Sequence, residues 1–228
     1  MKKLVLIMAL LLTLTMGTGK VNAAEVTDWT NTTWNVLGDS LTDPNNTTAT
    51  KRYFDYIQED MKIKKVNNYG KSGSTISNLS LPMSERYISM DDSANLITVF
   101  GGLNDYGRNV ELGTLNDTAN STYYGALDTL LKGLVKKYPN KKIGFISMYS
   151  RTFFPPVNHI SIPDYAYVNA EIDICDRYNI KHLNLYEIDS LNLGSSEGRQ
   201  YGAPDGVHLN TQGHQHLAEI MEPFIKSL

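Results

Sequence analysis

Short apolar segments alternate with amphipathic ones from residue 34 to the end of the chain, and this alternation restricts the fold more than any other sequence feature. Residues 34–37, 64–69, 96–100, 143–148 and 182–185 read as strands. Between the third and fourth, Tyr124, Leu127, Leu131, Leu134 and Tyr138 recur at intervals of three and four, with Asp128, Lys132 and Lys136 opposite and Pro139 closing the pattern. Tyr165, Val168, Ile172 and Cys175 mark the apolar face of a helix over 164–178, and Leu217, Ile220, Phe224 and Leu228 that of a last helix from 211. Helices are also predicted over 52–61 and 75–87. Strands separated by helices predict a parallel sheet covered on both faces, with right-handed crossovers. No repeat and no linker rich in Pro, Gly or Ser divides the chain, so residues 24–228 are expected to form one domain. Two long loops interrupt it, at 106–122 and 149–163. Ligands of such sheets bind beyond the carboxyl ends of the strands, so chemistry is sought there.

The N-terminus has a different character. Lys2 and Lys3 precede an apolar run over residues 4–14, and the small residues Ala23 and Ala24 follow. This layout predicts a signal peptide over residues 1–23, cleaved after Ala23, and hence export. The alternative is an uncleaved anchor, but about a dozen apolar residues fall short of the roughly 20 a span requires. No later segment is apolar enough for stable membrane insertion. Removing residues 1–23, with Lys2, Lys3 and Lys20, leaves 18 basic against 24 acidic residues, a formal charge of −6. Such a surface repels phosphate backbones, which argues against nucleic acid as a partner. The single Cys175 has no mate for an internal disulfide, and its helical register predicts a small buried hydrophobe rather than a nucleophile.

Candidate chemistry gathers at the strand ends. Gly38-Asp39-Ser40-Leu41 follows the first strand, where a sharp turn would expose the serine at the top of the sheet. A serine needs a base to take its proton. Of five histidines, His208 has a carboxylate at a useful distance, in Asp205-Gly206-Val207-His208. Asp205 can accept from one ring nitrogen and leave the other to face Ser40, although an ordinary loop Asp and His is the competing reading. His214 and His216 are two apart on a helix and make a poor metal pair. An acyl-transfer site also needs donors for the developing oxyanion. Asn104, in Gly101-Gly102-Leu103-Asn104-Asp105 after the third strand, carries a neutral double donor. The segment 68–75 after the second strand has glycines that let a backbone N–H approach a substrate closely. Gly194-Ser195-Ser196-Glu197-Gly198 matches the nucleophile-elbow pattern, but its context lacks the required strand and prompt helix, so a flexible loop is expected there.

Taken together, Gly38-Asp39-Ser40-Leu41, Gly73, Gly102-x-Asn104-Asp105 and Asp205-x-x-His208 resemble, in order and placement, the signature of the SGNH hydrolases, also called GDSL esterases and lipases. The resemblance spans essentially the whole chain after residue 23. It implies a three-layer α/β/α flavodoxin-like sandwich with a five-stranded parallel sheet in the order 2-1-3-4-5. It also implies Ser40 as nucleophile, His208 as base and Asp205 as its orienter, with an oxyanion hole from Ser40 N–H, Gly73 N–H and Asn104. No metal or organic cofactor is expected.

The expected substrate is a small ester or an acylated glycan, with short-chain or O-acetyl esters of carbohydrate preferred because no long apolar lid segment is visible. A lipase, lysophospholipase or thioesterase is the alternative, and a non-catalytic glycan-binding module a third reading from another class. Tyr106, Arg108, Tyr149, Arg151, Phe153 and Phe154 are placed at the mouth of the site, either to contact substrate or to anchor their own loops. Protein partners and oligomeric state are not readable from the sequence.

Overall fold

The computed structural model describes residues 28–151, 155 and 157–228; residues 1–23, assigned to a signal peptide, and Phe153 and Phe154 lie outside them. The chain runs β1 (Thr33–Gly38), α1 (Tyr53–Met61), β2 (Lys65–Gly70), α2 (Met83–Arg86), β3 (Leu96–Phe100), α3 (Leu103–Gly107), α4 (Tyr123–Lys137), β4 (Lys142–Ile146), α5 (Asp164–Arg177), β5 (Lys181–Leu183) and α6 (Thr211–Ser227). The five strands form one sheet in the order β2-β1-β3-β4-β5, every pair parallel.

The period-two pleat sorts the strand side chains into two cores. Trp34 and Val36 of β1, with Leu96 and Phe100 of β3, pack against Ile57 of α1 and Leu217 and Met221 of α6. Leu37, Ile97, Val99 and Phe145 face the other way, against Leu127, Leu131 and Leu134 of α4 and Ile174 of α5. The sheet is therefore buried on both faces, which is why its strands read as short apolar runs. Among the described residues, no helix is long and apolar enough to cross a membrane.

Three expectations are corrected. The helix expected over 75–87 is reduced to the single turn α2 and a 3-10 turn at Tyr87–Ser89. The backbone amides of Ile76 and Ser77 are taken instead by the carboxylate of Asp105, at 2.7 and 2.9 Å, and Leu81 has φ 42°. The start of the loop expected over 106–122 belongs to α3. Helix α5 buries a face rotated from the expected one: Tyr165 is 54% exposed, while Tyr167, Ala170, Glu171 and Ile174 join Val168 and Cys175 inside. Periodicity missed that face because a fully buried glutamate sits within it. Burial pushes the Cys175 thiol well above its ordinary pKa, as suits a core side chain.

Candidate active site

The site forms where β1, β2 and β3 end side by side. After Gly38 the chain turns at once: Thr42 N and Asp43 N both donate to Asp39 O, at 3.2 and 2.9 Å. The Asp39 side chain is buried and accepts from Leu41 N at 3.0 Å, which closes the turn and presents Ser40 at the surface of the cleft. Burial pushes the Asp39 carboxyl up to about 6, against the opposing effects of the Leu41 amide and of the charges on His208 and Arg151.

His208 and Asp205 arrive from the loop ahead of α6. His208 Nε2 lies 2.8 Å from Ser40 Oγ, and its Nδ1 lies 2.7 Å from Asp205 Oδ2. Asp205 Oδ1 accepts from the backbone amides of Val207 and His208, both at 2.9 Å, so its two oxygens divide between holding the loop and holding the ring. Burial opposes the Asp205 charge, but those two amides and the imidazole outweigh it and keep the carboxylate below its ordinary pKa. Nδ1 as donor and Nε2 as acceptor is the tautomer this arrangement selects, and it suits removal of the Ser40 proton.

The donors surround the same point. Asn104 lies at the start of α3 and donates through Nδ2 to Ser74 O at 2.9 Å, with a longer 3.4 Å contact to Asp39 Oδ2. Gly102, just before it, has φ 103°, and a methyl group there would come within 2.4 Å of Glu171 Oε1 and 2.5 Å of Tyr123 Oη. Only glycine lets β3 turn into α3 at this place. Gly73 follows β2 with φ 77°. The backbone amides of Ser40 and Gly73 have no acceptor among the described residues. Ser40, Gly73, Asn104 and His208 share the wall of one cleft of about 640 Å³.

Several supporting residues were invisible to motif reading. Arg86 donates to Tyr69 O at 2.7 Å, Gly38 O at 3.3 Å, Leu81 O at 3.0 Å and Ser74 Oγ at 2.7 Å, joining the ends of β1 and β2 to the loop that carries Gly73. Asp105 fixes the continuation of that loop, and burial pushes its carboxyl up to about 6. Beneath Gly102, Tyr123 donates to Glu171 at 2.6 Å, and His182 lies 3.4 Å from the same carboxylate. The alternation of polar and apolar residues carries no mark of such buried polar contacts.

Of the residues placed at the mouth, Tyr106, Arg108 and Arg151 line the cleft. Tyr149 does not: it is buried, and its hydroxyl donates to Val207 O at 2.6 Å, anchoring the His208 loop. Gly194–Gly198 is a turn in which Ser195 Oγ accepts from Gly198 N at 2.8 Å. A short 3-10 helix does follow it, Gly198–Tyr201, but 3-10 turns rather than a strand precede it, and Ser196 is exposed. His214 and His216 diverge: His214 is buried against Arg52 and pushed down to about 3, chiefly by burial, whereas His216 stacks on Tyr201.

The comparisons with known proteins agree with this architecture. A protein of known structure from Lactobacillus plantarum is 32% identical, with a TM-score of 0.81 over 86% of this chain and 97% of its own. A possible lipase from Chitinophaga pinensis is 19% identical, with a TM-score of 0.71 over 86% and 98% of the two chains. An acetyl xylan esterase is 21% identical, with a TM-score of 0.62 over 84% and 98%. None of the curated proteins matches the chain. The family model of the GDSL-like lipases and acylhydrolases matches residues 36–216, from the first strand into the last helix. The chain belongs to the GDSL-like lipase/acylhydrolase family, whose members are hydrolases acting on esters.

Proposed function

We propose that the protein is an exported serine esterase that works through an acyl-enzyme on Ser40. Ser40 Oγ attacks the acyl carbonyl while His208 Nε2 takes its proton, and Asp205 stabilises the resulting imidazolium through Nδ1–H. The oxyanion accepts from Ser40 N–H, Gly73 N–H and Asn104 Nδ2, whose second hydrogen makes only the long contact with Asp39. His208 then protonates the departing alkoxide, which leaves as the alcohol. Water, deprotonated by His208, attacks the acyl-enzyme and releases the acid. The observation that carries this reading is the continuous chain Ser40 Oγ–His208–Asp205, with links of 2.8 and 2.7 Å. The proposed substrates are short-chain esters, above all O-acetyl groups on carbohydrate. The basic and then apolar start of the chain supports export, with cleavage after Ala23.

A fluorophosphonate probe tests the nucleophile. The expected result is a covalent adduct with the wild-type protein and with Ser196→Ala, and none with Ser40→Ala. Labelling that survives Ser40→Ala overturns the assignment. Rates on nitrophenyl acetate through palmitate, beside acetate release from acetylated glycans, test the substrate. The expected maximum is at short chains; a maximum at long chains replaces this reading with a lipase.

A further inference from the structure

We propose that the natural substrate carries an anionic group close to its scissile ester, recognised by Arg108 together with Arg151; this rests on the esterase reading above. Among the described residues, the charged or titratable side chains lining the cleft are Tyr106, Arg108, Arg151, His159 and His208, with no Asp or Glu. In a chain with 24 acidic and 21 basic residues, a cleft wall without a carboxylate runs against the average surface. Arg108 lies four residues after Asn104, at the C-cap of α3, so the two project from the same side of one helical turn. A methyl group on Gly73 would come within 3.0 Å of Arg108 Nη2, so this guanidinium rests against the backbone of a proposed oxyanion donor. Arg108 is exposed and forms no ion pair among the described residues. Arg151 approaches from the β4 side, half-buried, with Asp164 and Asp39 both close enough to interact with its charge.

The reaction as derived uses neither guanidinium, because amide groups supply its oxyanion donors. Two cations at the rim of a concave site are left for substrate recognition, where they focus a positive field within an acidic protein. A planar guanidinium pairs best with a carboxylate, phosphate or sulfate. Such a group could sit on either side of the ester, in the alcohol or in the acid.

Two matched ester pairs read the preference. The first is 4-acetoxybenzoate against 4-acetoxybenzamide, with the charge on the alcohol side. The second is 4-nitrophenyl 3-sulfopropanoate against 4-nitrophenyl butyrate, with the charge on the acyl side. Each kcat/KM is normalised to that ester's rate of hydrolysis by hydroxide. In at least one pair the anionic member is expected to win by about tenfold at low ionic strength, the effect of a partly exposed ion pair reinforced by a second cation. The preference should fade towards parity at about 0.5 M salt, where exposed charges are screened. Arg108→Glu should abolish or invert it. Hydrolysis of all four esters without a charge preference overturns this inference and leaves the esterase standing. A preference that survives Arg108→Glu removes Arg108 from it. Failure to hydrolyse any of the four overturns the esterase reading, and this one with it.

Discussion

Ser40 and Asn104 leave the ends of two adjacent strands that are buried on both faces, whereas Asp205 and His208 hang from the irregular stretch 184–210, which holds 3-10 turns and one antiparallel bridge, Gly202 to Leu209. The first half is set by packing: Asp39 and Asp105 are buried carboxyls, Gly102 admits no side chain, and Arg86 ties the strand ends together. The second half is set by a few hydrogen bonds: Asp205 accepts from the amides of Val207 and His208 in its own turn, and the distant Tyr149 donates to Val207 O. A group that must meet a charge as it develops gains from being fixed in advance. The proposed base, His208, has to gain and lose a proton in turn, and it sits where the backbone is more accessible.

The largest effect should come from the packed half. Asn104→Ala is expected to lower kcat by about 10²–10³, the usual effect of losing one oxyanion donor, while costing only about 1 kcal/mol of stability through the donor that Ser74 O loses. A near-normal rate would remove Asn104 from the reaction. Gly102→Ala should destabilise the protein by about 3 kcal/mol or more, because the methyl meets Glu171 and Tyr123 at a positive φ. Urea denaturation measures this, and a loss below about 1 kcal/mol would mean that the strand end yields more readily than the packing implies.

A smaller and pH-dependent effect is expected at Asp105. Its folded pKa, about 6, lies above the ordinary carboxylate value, so the native state binds the proton more tightly than the unfolded chain does. Its stabilising contribution is therefore complete below about pH 4 and lost as the pH rises through about 6. Asp105→Asn, which cannot titrate and offers only one acceptor oxygen to two amides, should cost about 1–3 kcal/mol at the acid end. The gap to wild type should then narrow towards neutrality; a gap that widens with pH would show that the two amides favour the ionised carboxylate enough to reverse the sign. The smallest effect belongs to the loop half. Tyr149→Phe should cost about 1 kcal/mol of stability by leaving Val207 O without its donor. It should also lower kcat a few-fold. If kcat falls as far as in Asn104→Ala, the contrast between the halves fails.

The same contrast governs what could be read in advance. Residues 96–100 are bounded correctly by the sequence because four of the five, all but Thr98, are apolar and Gly101-Gly102 ends the run. The order of the strands came from the family resemblance and not from periodicity. The residues 38–40, 104, 205 and 208 stood out because serine, histidine and a carboxylate in those turns have few other uses together; the 2.8 Å approach of Ser40 and His208 needed the fold. Misreadings fell where a polar side chain is buried. Glu171 hid the inner face of α5, and Asp105 drew the amides of Ile76 and Ser77 away from a helix. Tyr149, placed at the mouth as an aromatic on a loop, turned inward because its hydroxyl had a carbonyl to reach. Hydrophobic patterning records burial of carbon; it does not record where a buried oxygen finds its partner.

Arg86 reaches four acceptors, on both strand ends and on the segment that follows β2. Thermal excursions that would part β1 from β2 at this rim must break several of these bonds together, so the floor beneath Ser40 moves as one piece. Amide exchange at Lys71, whose N–H is bonded to Gly38 O, should accordingly track opening of the whole domain and not local fraying.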